Sequence, residues 1–159
     1  LRDYDEKDNY SVRYNYKMTD LQAALGISQL KKLPSFIDRR KKIAGLYGKA
    51  LEEANFPVGE ETEGLEHIYY RYILLDRNGS GIMETIRKRG IDCKRPVFKP
   101  LHRYLDLSGF PVTEETFRQA VSIPIYPSLS DEDVIEISDA LRNCGLVKSK
   151  ISPPLVGGD

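Results

Sequence analysis

Three features of the sequence predict an α+β fold: two N-terminal helices, then a small, mainly antiparallel sheet of about three strands with helices packed on one face. The first is a long helix-compatible stretch from Asp20 to Ala54, interrupted by Pro34. The second is His67–Leu75, rich in aromatic and β-branched residues that suit a pleated, half-buried surface. The third is the C-terminal half of the chain, where short apolar runs alternate with Ser and Thr caps and Gly stops.

In chain order, Leu1–Arg13 is charged and turn-rich and reads as an exposed lead-in, with a short strand at Tyr10–Tyr14. Thr19 followed three residues later by Gln22 has the form of a capping box, and Asp20 stands where the helix dipole favours negative charge. Leu21, Ala24, Leu25 and Ser28 then give a face of small and apolar residues for close packing, and Pro34 ends the helix near Leu33. Ser35 with Asp38 is placed to cap a second helix, whose stripe is Phe36, Ile43, Tyr47, Ala50 and Ala54. The basic cluster Arg39, Arg40, Lys41 and Lys42 reads first as a solvated helix face and, a distant second, as a phosphate-binding group. Pro57 and Gly59 close the segment, and Gly59–Glu66 is an acidic loop.

Alternation along the strand at His67–Leu75 puts Ile68, Tyr70 and Tyr72 on one face and His67, Tyr69 and Arg71 on the other. Asp76–Ser80 is turn chemistry. Ser80 is expected to cap a helix through Arg89, with Ile82, Met83 and Ile86 inward and Gly90 as its left-handed stop. Ile91–Arg95 is a second strand, and the prolines from Pro96 to Pro111 make an ordered loop. Thr113 caps a helix through Ala120, Val121–Ile125 is a third strand, and Ser130 with Asp133 opens a last helix through Asn143 that Gly145 stops. The expected core includes Ile43, Tyr47, Ile73, Ile86, Ile123 and Ile137. The expected organisation is an interface lead-in over 1–19, one domain over 20–150 and a mobile tail over 151–159.

Composition narrows the partners. The 159 residues carry 24 Lys plus Arg and 24 Asp plus Glu, so no net charge steers the chain toward nucleic acid or an anionic membrane. No apolar run is long enough to span a bilayer. Cys93 and Cys144 lack metal-ligand spacing and read as reduced thiols of a cytoplasmic protein. A chain that begins at Leu1 reads as a fragment or processed product. A phosphate-binding Gly loop, H-E-x-x-H, a nucleophile elbow and Cys-x-x-Cys are all absent, and with His67 and His102 as the only histidines no metal site is expected. A nucleic-acid module that stacks bases on Tyr69–Tyr72 is an alternative, opposed by the zero net charge and the lack of an RRM-type run.

The run Tyr14-Asn15-Tyr16-Lys17-Met18-Thr19-Asp20-Leu21-Gln22-Ala23-Ala24-Leu25-Gly26 resembles the segment that joins the large and small domains in DegT–StrS sugar aminotransferases, which depend on pyridoxal phosphate. His67-Ile68-Tyr69-Tyr70-Arg71-Tyr72 is similar to that family's H-x-Y-Y/H-x-Y strand. Lys94-Arg95-Pro96-Val97-Phe98-Lys99-Pro100-Leu101-His102 resembles its loop ending in P-L-H or P-M-H, and Ser122–Val134 resembles its strand-to-helix turn. The resemblance covers all but the last few residues and implies the C-terminal small domain of an aminotransferase acting on a keto-sugar nucleotide.

Several expectations come from that resemblance alone. The parent would move an amino group, usually from glutamate, as a homodimer. Asn15 would reach the cofactor phosphate of the neighbouring subunit, with Lys17 close by where the family commonly has Arg. Arg95, Phe98, Lys99 and His102 would line the sugar-nucleotide pocket, with cations for a diphosphate and an aromatic face for a ring. The lysine that forms the Schiff base lies in the family's large domain, and no lysine here matches its motif. This chain alone is therefore expected to contribute no catalytic residue and to be inactive. A non-catalytic partner or regulatory domain that kept the fold is the other reading.

Overall fold

The computed structural model describes residues 16–56 and 64–146. The expectations for Leu1–Arg13, Asn15, Pro57, Gly59 and the tail over 151–159 lie outside the described residues. The chain divides into two compact units, 1–33 and 34–159.

The elements are α1 (Asp20–Glu53), β1 (Tyr72–Leu75), α2 (Gly79–Arg87), α3 (Leu101–Tyr104), α4 (Pro111–Gln119), β2 (Ala120–Ile123) and α5 (Asp131–Asn143). The capping box at the start of α1 is formed. Thr19 N donates to Gln22 Oε1 at 2.9 Å, and Gln22 N donates to Thr19 Oγ1 at 3.3 Å. Leu21 and Leu25, expected on a packing face, are 82% and 62% exposed.

Where two helices were predicted, α1 is assigned as one helix of 34 residues with Pro34 inside it. The proline removes one donor to the carbonyl four residues back. Leu30 and Pro34 are both exposed, so water can take that carbonyl's hydrogen bond. Ser35 and Asp38 are consequently interior helix residues rather than caps.

Among the described residues the sheet of the second unit has two strands rather than about three. Antiparallel β1 and β2 pair Tyr72 with Ile123, Ile73 with Ser122, Leu74 with Val121 and Leu75 with Ala120. Of the segment expected as a further strand, Lys94 alone makes a bridge, to Ser122. The Cys93 carbonyl is instead taken by Arg87, whose Nε and Nη2 donate to it at 3.0 and 2.6 Å. Pro96 then lacks the N–H that would extend the ladder.

β1 starts five residues later than predicted because Tyr69 adopts φ +48°, a left-handed turn that its N–H closes by donating to His67 Nδ1 at 2.9 Å. β2 stops at Ile123 because Pro124 comes next.

Pairing sets the faces. Tyr72, Leu74, Val121 and Ile123 share the core side, and Ile73 with Ser122 lies opposite. Ile73, predicted to be buried, is 46% exposed, whereas Leu74 is 3% exposed. The error arises because Ile73-Leu74-Leu75 is apolar throughout and carries no alternation to set the register. Ile43, Tyr47, Ile86, Ile123 and Ile137 are buried as predicted and belong to one cluster with Leu51, Ile82, Val121, Val134 and Leu141. The Tyr47 and Tyr72 rings meet edge-on at 5.4 Å.

Helix starts partly follow the predicted caps. Ser130 Oγ accepts from Asp133 N at 3.0 Å and opens α5 as expected. Asn78 rather than Ser80 caps α2, accepting from Gly81 N at 3.3 Å. α4 begins at Pro111, a fixed φ suited to a first helical turn, and not after Thr113. Gly79 is required where α2 meets α4, since a Cβ there would stand 2.7 Å from the Gln119 carbonyl oxygen.

Candidate functional site

The segment from Lys94 to Phe110 leaves the sheet, bends at 96–99, makes the single turn of α3 and returns to α4. Asp106 and Gly109, at φ +49° and +91°, provide the reversals on the return. Leu105 N and Leu107 N both donate to the His102 carbonyl, at 3.2 and 2.9 Å, and Arg103 N donates to the Pro100 carbonyl at 3.1 Å.

Arg95 fixes the entrance. Its Nη2 donates to Ser80 Oγ at 2.8 Å and its Nη1 to the Ala120 carbonyl at 3.1 Å and to the Arg118 carbonyl. Partial burial pushes the guanidinium below its usual range. The same group lies 5.6 Å from the Phe117 ring centroid. Arg95 therefore ties the loop to the start of α2 and the end of α4.

His102 and Arg103 fix the exit. His102 is buried, stacks on Phe110 at 5.0 Å between centroids and donates from Nε2 to Glu114 Oε1 at 2.7 Å. Arg103 Nε donates to the same oxygen at 2.6 Å, and its Nη2 pairs with Oε2. The Arg103 guanidinium lies 5.0 Å from the Phe117 ring centroid, so both ends of the loop converge on Phe117. Hydrogen bonds from Arg103 and then His102 hold the Glu114 carboxyl down at about 2.

Between these anchors Phe98 is 91% exposed, and Lys99 Nζ stands 4.6 Å from the Tyr104 ring centroid. The structure thus gathers Arg95, Phe98, Lys99 and His102 on one loop but divides their surroundings. Arg95 and His102 are engaged with the frame, the half-buried Lys99 is turned onto Tyr104, and Phe98 presents an open ring. Glu114 and Phe117, which sequence reasoning passed over, hold the loop's ends. Their one signal was a carboxylate and an aromatic on one side of a short helix.

Lys17 is exposed in the short lead-in to α1. Asn15 lies outside the described residues. Pyridoxal phosphate supplies an electron sink for amino transfer, and it needs an enclosed lysine. Among the described residues the lysines are at least partly exposed, with Lys41 on Glu66, Lys88 on Glu84, Lys94 on Asp92 and Lys99 over Tyr104. They do not form a cofactor cradle, and no chemical step through the cofactor follows from them. Among the described residues no cluster of His, Cys, Asp or Glu could hold a metal, and no helix is long and apolar enough to cross a membrane.

Comparison with known proteins gives a consistent result. Residues 2–142 match the model of the DegT/DnrJ/EryC1/StrS aminotransferase family. GDP-perosamine synthase of Vibrio cholerae is 30% identical over 143 residues, which is 83% of this chain and 39% of that protein. GDP-perosamine synthase of Escherichia coli O157:H7 is 32% identical over 138 residues, 82% of this chain and 37% of that protein. A DegT DnrJ EryC1 StrS aminotransferase from Brucella abortus superposes with a TM-score of 0.70 at 27% identity, covering 86% of this chain and 39% of its own. DesV of S. venezuelae, at 24% identity, has the same fold with a TM-score of 0.76 over 92% of this chain and 43% of its own. The chain spans about two fifths of the length of these relatives. With nearly its whole length matched, the chain belongs to the DegT/DnrJ/EryC1/StrS aminotransferase family.

Proposed function

We propose that this chain is the C-terminal portion of a pyridoxal-phosphate-dependent aminotransferase that acts on a keto-sugar nucleotide in the cytoplasm, with glutamate or a similar amino donor. Relatives named as GDP-perosamine synthases and as a dTDP-sugar 4-aminotransferase support the substrate class. The apolar residues Met18, Leu21, Leu25 and Leu30, each more than 60% exposed, suit a surface that packs on parts of the fold the longer relatives carry. In this reading the parent is a homodimer, and Asn15 and Lys17 serve the cofactor phosphate of the neighbouring subunit.

The observation that carries the substrate reading is the loop with Phe98 outward and Lys99, the next residue, over Tyr104, held at both ends. An aromatic face and a cation suit a nucleotide ring and a diphosphate. Arg95 and His102 contribute by keeping that loop in place at the pocket wall.

The test is a titration of the chain with a GDP-sugar and a dTDP-sugar, monitored by amide chemical shifts. Shifts centred on Phe98 and Lys99 support the reading, and shifts confined to other elements, or none, overturn it. The cross-subunit role is tested in a full-length relative with the matching segment. Mixing one inactive variant without the Schiff-base lysine and one with the Asn15 position changed to Ala should restore activity in mixed dimers. Absence of recovery despite proven subunit exchange would rule out the shared site.

A further inference from the structure

We infer that Glu114 is a positioning residue, the latch that holds the Pro96–Leu107 loop with Phe98 outward. That this loop faces substrate rests on the function proposed above; the latch itself rests on geometry alone.

Glu114 sits in the first turn of α4, a helix whose start is set by Pro111 and whose Glu114 N–H already donates to the Phe110 carbonyl at 3.0 Å. Its carboxylate receives three donors from α3: His102 Nε2 at 2.7 Å, Arg103 Nε at 2.6 Å and Arg103 Nη2. An isolated surface ion pair contributes little, because two mobile side chains must be ordered for a screened attraction. Two features separate Glu114 from that case. The arginine pairing is two-pronged, and the third donor is the ring nitrogen of a buried histidine. Removing Glu114 leaves that nitrogen without its partner on a ring stacked against Phe110, and frees the guanidinium that covers Phe117.

The loop's other end is held by separate hydrogen bonds, from Arg95 to Ser80, Arg118 and Ala120. Loss of Glu114 therefore releases the α3 end while the sheet and α2 stay as they are. Glu115, the next residue, pairs with Arg118 and Gln119 within α4 and makes no bond to the loop, so it is the natural control.

The experiment is amide hydrogen exchange on the whole chain without ligand. The reporters are the hydrogen-bonded amides of Arg103, Leu105 and Leu107, with those of Asp76 and Ser122 reporting the sheet region. Glu114→Ala should speed exchange about ten- to a hundredfold at the three loop amides, the equivalent of losing a charge-assisted hydrogen bond, and leave Asp76 and Ser122 unchanged. Glu114→Gln, which keeps an acceptor and loses the charge, should give a smaller change with the same pattern. Glu115→Gln should give none. If Glu114→Ala does not fold, Glu114→Gln is read by the same pattern. Unchanged loop exchange in a folded variant, or equal acceleration at Ser122, would overturn the latch. Because no ligand is present, that failure is distinct from failure of the loop to bind a nucleotide sugar.

Discussion

The Tyr47 hydroxyl donates to the carbonyl of Pro124 at 2.9 Å, joining the buried face of α1 to the residue that ends β2. Tyr47 is fully buried, and its ring also meets Tyr72 edge-on. Burial, reinforced by the nearby Tyr126 and Asp133, raises its hydroxyl well above the usual range, and Tyr72 is pushed up to about 12 by burial first and Tyr69 second. A raised tyrosine ionises late, so both rings should stay neutral while exposed tyrosines titrate. Ultraviolet titration of the wild type against Tyr47→Phe should show no loss of tyrosinate signal below about pH 11, where only unperturbed groups respond. The same variant should lose ~0.5–1.5 kcal/mol of stability, the usual net worth of one hydrogen bond, by urea denaturation.

Neighbouring residues of β1 should respond very differently to truncation. Leu74 faces the core at 3% exposure, and Ile73 lies on the opposite face at 46%. Leu74→Ala should cost ~2–5 kcal/mol, since removing its buried isopropyl group leaves a cavity. Ile73→Ala should cost less than half as much, because its surface is already partly hydrated. Equal losses at the two positions would contradict the register in which Leu74 opposes Val121.

What the sequence made legible was mostly local. Thr19 with Gln22 and Ser130 with Asp133 are three residues apart, and the caps they promised are formed. Ile43, Tyr47, Ile86, Ile123 and Ile137 follow from helical or strand periodicity and are buried. Failures came where local signals competed or were silent. Pro34 is a breaker, yet it is tolerated where its orphaned carbonyl faces water. The apolar triplet Ile73–Leu75 carried no face information. His102 with Glu114 is a contact across twelve positions that depends on how the prolines and Gly109 turn the chain, and no spacing rule announces it.

Acid should unfold the α3–α4 corner in a defined window. The Glu114 carboxyl is held at about 2, below its ordinary 4.5, by Arg103 and His102. A carboxylate with a depressed folded value stabilises above its unfolded value and loses that contribution as pH falls toward the folded one. Between about pH 4.5 and 2, protonation should therefore weaken the corner progressively. Thermal denaturation across that range should show a shallower acid dependence for Glu114→Gln than for wild type. An identical slope would mean that the carboxylate contributes equally in the folded and unfolded chains. Asp131, lowered by its hydrogen bond to Arg39, acts in the same direction, so Asp131→Asn should reduce the slope independently.

Phe98 should separate binding from stability. A side chain that is 91% exposed has little packing to lose, so Phe98→Ala should change stability by no more than ~0.5 kcal/mol. If the ring stacks on the base or sugar of a nucleotide sugar, its removal should weaken binding by the order of one aromatic stacking contact, ~1–3 kcal/mol, or roughly five- to more than a hundredfold in Kd. Lys99→Met would remove the charge that stands over Tyr104, and should weaken binding more at low salt than at high salt. The measurements are urea denaturation and nucleotide-sugar titration on the same preparations. A stability loss above ~1.5 kcal/mol for Phe98→Ala would place the ring in the fold rather than in the site, and unchanged affinity in a binding-competent protein would remove Phe98 from the pocket wall.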